Sequence, residues 1–150
     1  MKVFLSQTGY LKILQESLKS KWKETGGILI GYKNKNQIVV IDIIGPGPNA
    51  QHRIFNFKRD VPYCNDILKK EFMETDGLIT YLGEWHTHPF GIPVPSHQDS
   101  IEMIKISETE CYQNDTPILF IVRQSKNSTR IGAFLYSDGH KRKVEMLLFE

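Results

Sequence analysis

The run Gly83-Glu84-Trp85-His86-Thr87-His88-Pro89-Phe90-Gly91-Ile92-Pro93-Val94-Pro95-Ser96-His97-Gln98-Asp99 constrains the fold more than any other part of the chain. Leu78, Ile79, Tyr81 and Leu82 lead into it as an apolar, β-prone stretch. Residues 78–87 therefore read as a strand with His86 and His88 at its C-terminal end. Side chains at i and i+2 of a strand share a face, so both imidazoles can reach one ion. Pro89, Pro93 and Pro95 then exclude further strand or helix until Ser96, a favoured helix N-cap that puts Asp99 in the first helical turn. Any fold of this chain must bring a strand end and a helix start to one point.

Two imidazoles and a carboxylate suit zinc, and three protein ligands leave a fourth tetrahedral position for water, as in catalytic sites. His86, His88 and Asp99 are therefore the expected ligands of one zinc ion per chain. The plainer reading of Ser96-x-x-Asp99 is a helix capping box, although that motif prefers Glu or Gln where Asp99 stands.

The same stretch resembles the motif of the JAMM metallopeptidases, also called the JAB/MPN/Mov34 family. That motif is His-Ser/Thr-His-Pro followed by a Ser and, three residues on, an Asp. Here His86-Thr87-His88-Pro89 match, with seven residues between His88 and Ser96 and two between Ser96 and Asp99. The family also places a glutamate upstream, just before a Gly-rich strand, and Glu24 in Glu24-Thr25-Gly26-Gly27-Ile28-Leu29-Ile30-Gly31 fits that position. The resemblance implies an MPN fold related to cytidine deaminases, although the deaminases' Pro-Cys-x-x-Cys is absent. It implies Glu24 as general base toward water and leaving amine, and Ser96 as hydrogen-bond donor to the developing oxyanion. It also implies a substrate class: a ubiquitin-like protein removed from a conjugated target or trimmed at its C-terminal tail. The compact form is most similar to the stand-alone bacterial members, several of which are encoded beside E1-like and E2-like proteins, including in antiphage defence operons. Release of an amino acid from a sulfur-carrier protein is the alternative within the family, and a non-catalytic zinc-bound scaffold the alternative outside catalysis.

Glu84 competes with Glu24 for the role of base. It shares strand parity with the histidines but lies about 6–7 Å back along the strand, out of reach of a water at their tips. Glu84 is therefore expected to support the site rather than act in it.

At 150 residues, 40% hydrophobic and 24% charged, the chain is expected to form one domain over residues 1–150. An amidohydrolase barrel, which also begins with His-x-His on a strand, needs roughly 200 residues or more and is excluded by length. A net charge of +2 with scattered lysines gives no nucleic-acid footprint. Cys64 and Cys111 lack CxxC spacing and read as buried, reduced thiols. No signal peptide or membrane span is visible, so a cytoplasmic location without membrane contact is expected.

The remaining pattern gives a mixed α/β (α+β) domain with a central, largely antiparallel sheet flanked by helices. An opening segment that can pair as a strand precedes a helix over 8–22, with Tyr10, Leu14, Leu18 and Trp22 facing the core. Strands at 26–32 and 37–44 form a hairpin, and Ile54, Phe55 and Phe57 suggest a third strand ending at a solvated Lys58-Arg59. Helices follow from the Asp60 cap to 74 and from Ser96 to 108, then strands at 117–123 and 130–136. The tail from Val144 to Phe149 is a strand or short helix. Trp85 and the Phe90–Pro95 loop are candidate walls of a groove in which an extended tail pairs with an exposed strand edge. The short segments 45–53 and 107–116 are the only room for substrate-selecting insertions.

Overall fold

The computed structural model describes residues 1–150. In chain order the elements are β1 (Lys2–Ser6), α1 (Gln7–Ser20), β2 (Gly26–Lys33), β3 (Gln37–Ile44), β4 (Gln51–His52), β5 (Phe57–Lys58), α2 (Val61–Glu74), β6 (Thr80–Thr87), α3 (His97–Glu108), a 3-10 turn at Glu110–Tyr112, β7 (Ile118–Ser125), β8 (Ser128–Ser137) and β9 (His140–Phe149). Seven strands hydrogen-bond in the order β1-β3-β2-β6-β7-β8-β9, and β9 returns to pair with β1, closing the sheet. The architecture is mixed α+β, as the pattern of elements implied. The sheet departs from a largely antiparallel one: β1–β3, β1–β9 and β6–β7 pair in parallel. Closure explains the ambiguous tail, because β1 needs a partner on its second edge and β9 supplies it, removing the open edges.

One face of the closed sheet holds the main core, with Val3, Leu5, Leu29, Val40, Leu82, Trp85, Ile118, Phe120 and Val122 packed around Ile13 of α1. On the other face, Ile28, Ile30, Ile44 and Tyr81 pack with Cys64 of α2, while Leu119, Ile121, Phe134 and Tyr136 pack with Met103 of α3. The catalytic-looking strand β6 thus runs between two outer helices.

Three expectations are corrected. The buried stripe of α1 is Gly9, Ile13 and Ser17, whereas Leu18 and Trp22 are 62% and 59% exposed. Small residues let that stripe approach closely: a Cβ on Gly9 would stand 3.0 Å from Leu5 Cδ1. The helix also stops at Ser20, leaving Trp22 beyond it. Second, Ile54 and Phe55 belong to no strand; they form the tip of the two-residue hairpin β4–β5, where Phe55 is 83% exposed. The closed sheet offers that apolar run no edge to join. Third, Cys64 is buried but Cys111 is exposed, and both are free. No helix is long and apolar enough to cross a membrane.

The N-caps fell where the side chains demanded. Ser6, Asp60 and Ser96 each accept a hydrogen bond from the backbone N–H three residues on, satisfying a donor that the helix cannot. Within β6 the register against β2 slips by one residue: Leu29 faces Gly83 and Ile30 faces Tyr81, so Leu82 is extra. That bulge puts Tyr81 and Glu84 on the outer face and Leu82 and Trp85 in the core. Trp85, 1% exposed with its indole N–H donating to the Ile44 carbonyl, therefore has a core side chain.

Candidate metal centre

β6 and the first turn of α3 meet as the proline-rich run requires. His86 Nε2 lies 3.2 Å from Asp99 Oδ1, and His88 Nε2 lies 3.2 Å from Asp99 Oδ2. All three side chains are only 14–17% exposed. Ligand atoms about 2.0–2.1 Å from a tetrahedral ion stand about 3.3 Å from one another, so this spacing is that of a metal polyhedron's edge. His86 Nε2 is buried without a hydrogen-bond partner despite its nearness to Asp99. A buried ring nitrogen with no donor or acceptor aligned to it is costly unless a cation takes its lone pair.

The supporting contacts fix the same orientation. His88 Nδ1 lies 3.3 Å from the Ile92 carbonyl; a carbonyl only accepts, so in the neutral ring Nδ1 carries the hydrogen and Nε2 keeps its lone pair. The proline-rich loop thus orients a candidate ligand. Asp99 sits in a capping box: its backbone N–H donates to Ser96 Oγ at 3.1 Å, and its Oδ2 accepts from the Ser96 backbone N–H at 2.8 Å. The capping reading of Asp99 is realised, and a carboxylate has enough lone pairs to hold a metal as well.

Glu24 completes the cluster. Its carboxylate and the ring nitrogens of His86 and His88 all lie within 4.8 Å of one another, a spacing that could itself hold an ion. Its approach depends on glycine at position 26, where a Cβ would fall 2.2 Å from the Trp85 carbonyl oxygen and 2.8 Å from His86 Cβ. Thr87, between the two histidines and on the opposite face, ties this segment to β6: its Oγ1 accepts from Thr25 N–H at 3.0 Å and its N–H donates to the Thr25 carbonyl at 2.9 Å.

Burial pushes the Asp99 carboxyl up, but the adjacent His86 and His88 imidazoles outweigh it and hold the group well below the usual carboxylate range. Burial pulls the His88 imidazole down, yet the Asp99 hydrogen bond and charge leave it above its ordinary value. Burial raises Glu24, only partly offset by the two histidines.

The cluster opens into a cleft of about 400 Å³ lined by Phe55, Phe57, Phe90, Ser96 and Glu102 among others. Phe90 of the expected loop does line it. A second groove, about 540 Å³, leads from His86 and Asp99 between α3 and the β5 end toward Tyr112. Lys58 borders that groove and is exposed, but Arg59 is not a solvated strand end. Its guanidinium pairs with Glu84, whose other oxygen accepts from the Tyr81 hydroxyl. Glu84 is thus taken up by an ion pair and a hydrogen bond that the sequence pattern did not reveal.

A family profile described as prokaryotic homologs of the JAB domain matches residues 6–132. This chain belongs to the prokaryotic JAB family. Among relatives of this JAB domain, an Escherichia coli protein named CD-NTase/cGAS isopeptidase is 36% identical over 124 residues, covering 83% of this chain and 76% of the relative. A protein of the same name from Enterobacter hormaechei is 32% identical, covering 80% of this chain and 66% of the relative. A Sinorhizobium fredii protein named probable metalloprotease is 32% identical over a shorter stretch, 47% of this chain and 44% of its own. The solution structure of a Desulfitobacterium hafniense protein superposes with a TM-score of 0.74 at 17% identity, covering 99% of this chain and 93% of the other, a likeness of fold alone.

Proposed function

We propose that residues 1–150 form one catalytic unit, a zinc-dependent JAB isopeptidase that frees a protein's C-terminal tail from the lysine of a conjugated target. The observation that carries this reading is the convergence of His86, His88, Asp99 and Glu24 at one cleft, with a buried His86 nitrogen left without a partner. The fit of the donor set supports His86, His88 and Asp99 as ligands. One zinc ion bound by them would supply Lewis-acid polarisation of the amide carbonyl and would acidify a water.

The chain's own residues do the rest. Glu24, raised by burial, takes a proton from a water in the cleft and delivers it to the departing lysine nitrogen, since an alkylamine leaves poorly unless protonated. Ser96 Oγ already accepts from the Asp99 N–H, which leaves its hydroxyl hydrogen free to donate to the developing oxyanion. The cytidine-deaminase relationship of this fold belongs to the same reading.

The closed barrel offers no strand edge, so the extended tail pairs with the free side of β5, whose only partner is β4. The names of the relatives support a CD-NTase as the conjugated protein, within an antiphage conjugation system. A ubiquitin-like tail and E1-like and E2-like partners encoded nearby complete that reading.

The test is cleavage of a purified CD-NTase joined through an isopeptide bond to a lysine-bearing protein. Metal-loaded protein should release both halves intact, protein stripped by a chelator should not, and zinc should restore turnover. Glu24→Gln should keep one zinc per chain and lose turnover. Cleavage that persists after the metal is removed would overturn the mechanism.

A further inference from the structure

The metal cleft is one end of a longer path. His86, Asp99, Glu102 and Phe57 line both the cleft and the groove beside α3. That groove follows α3 from Asp99 to Thr109, a rise of about 15 Å at about 1.5 Å per residue. Arg59, Val61 and Tyr112 then line both it and a further groove, about 520 Å³, between α2 and the 3-10 turn. An extended chain advances about 3.3 Å per residue, so the stretch beside α3 alone takes about four or five residues. Of the two partners joined by an isopeptide bond, only the tail needs such a length; the other needs room for a lysine side chain.

Charge changes sign along this path. The cleft is lined by Glu24, Asp99 and Glu102 and by no lysine or arginine. Beyond Glu102 the order reverses: Lys105 on α3 and Lys58 on the facing β5 border the groove from opposite walls, both exposed. The further groove has Lys33, Arg59 and Lys69 in its lining and no carboxylate. Two of these cations are already engaged. Arg59 pairs with Glu84, and Lys33 donates to Asn114 Oδ1 and Thr116 Oγ1 at 2.5 and 2.6 Å. Lys58, Lys69 and Lys105 belong to none of the chain's ion pairs.

We propose, on the isopeptidase reading, that this path selects tails bearing acidic side chains from about the third residue before the scissile carbonyl, with Lys105 and Lys58 as the specificity-determining residues and Lys69 reading further upstream. The position follows from the helix: Lys105 stands six positions past Asp99, about 9 Å, which an extended tail covers in about three residues. Successive side chains of an extended tail point to opposite sides, so two neighbouring acids can face Lys105 and Lys58 on the two walls. Glu102, only one turn past Asp99, repels an acid placed next to the scissile bond.

The test compares one isopeptide substrate in three forms, with glutamate, glutamine or lysine at the third and fourth tail positions before the scissile carbonyl. Exposed ion pairs are worth about two- to fivefold each, so wild-type protein should favour the glutamate form over the glutamine form about tenfold in kcat/KM, mostly through KM. Salt at about 0.5 M should erase most of that gap by screening. The Lys58→Glu/Lys105→Glu double variant should keep its zinc and melting temperature and invert the order, cleaving the lysine form best. Lys35→Glu, in the β2–β3 turn, makes the same kind of charge change away from the path and should keep the wild-type order. Affinities of the three free tail peptides for zinc-loaded Glu24→Gln protein should follow the wild-type order, which reads the preference without turnover. Equal handling of the glutamate and glutamine forms, a preference that survives the double reversal, or one lost equally in Lys35→Glu would each overturn the proposal. Failure to cleave any form while the peptides still bind in that order would refute the isopeptidase reading and leave the tail preference standing.

Discussion

The cap formed by Ser96 and the oxyanion role proposed for it can be pulled apart by substitution. Ser96 Oγ accepts from Asp99 N–H at 3.1 Å as an N-cap, and the side chain lines the cleft. The cap is solvent-exposed, so Ser96→Ala should cost about 0.5–1 kcal/mol, the lower half of the usual range, because water can satisfy the freed N–H. For a chain of this length that is a fall of about 1–4 °C in melting temperature. Loss of an oxyanion donor should remove about 3 kcal/mol from transition-state stabilisation, or about a hundredfold in kcat. Ser96→Gly separates the effects, since glycine at an N-cap costs only about a few tenths of a kcal/mol while still lacking the hydroxyl. The assay is a thermal melt and steady-state kinetics on one isopeptide substrate for both variants at fixed zinc. Melting should fall in the order wild type, Gly, Ala, whereas kcat should drop about equally in both variants. If Ser96→Gly restores kcat along with stability, the hydroxyl serves only as a cap and the oxyanion role is refuted.

Glu84→Gln leaves the Arg59 guanidinium buried without its counter-charge and should cost about 3 kcal/mol, read as a lower urea midpoint, while Glu24→Gln should leave the midpoint in place. The opposite pattern would reverse the two roles. In metal-free protein the depressed Asp99 contributes stability above its ordinary value of 3.8 that is lost only in stronger acid, and the raised His88 contributes stability below its ordinary 6.5 that is lost as pH rises through its folded value. Chelator-treated protein should therefore melt higher at about pH 5.5 than at about pH 8, whereas the stabilisation gained by adding zinc should grow over the same rise because the metal needs neutral imidazoles. A metal-free melting curve flat across that range would dispose of the His88–Asp99 pairing. Alkylation should modify exposed Cys111 and spare Cys64, whose thiol burial pushes up to about 11, without slowing turnover. Inactivation by a single adduct at Cys111 would point to chemistry other than a metal-activated water.

Local chemistry made much of this protein legible in advance. Ser96 and Asp60 are caps because their oxygens reach a backbone donor within the same turn, and the prolines after His88 stop a strand because they lack an N–H. The i, i+2 spacing of His86 and His88 and the start of α3 at Ser96 brought both histidines and Asp99 together, since each rule acts over a few residues. Fold class followed from the alternation of such segments.

Only tertiary structure decided what depends on partners distant in the chain. Closure of the sheet turned the tail into β9 and left Ile54 and Phe55 outside it, because an apolar run becomes a strand only where an unpaired edge remains to receive it. Arg59 looked like a solvated charge until Glu84, brought near by the fold, offered an acceptor worth its desolvation. The burial of Trp85 and the place of Leu82 turned on a one-residue slip in pairing with β2, which periodicity within β6 does not contain. His52 carried no sequence signal at all, for a histidine's role is set by what lies within 3.5 Å of its nitrogens, and here that is a carbonyl 28 positions away. Sequence determined the donors and the caps; the long-range pairings determined which donor faces which acceptor, because that geometry exists only once the sheet has closed.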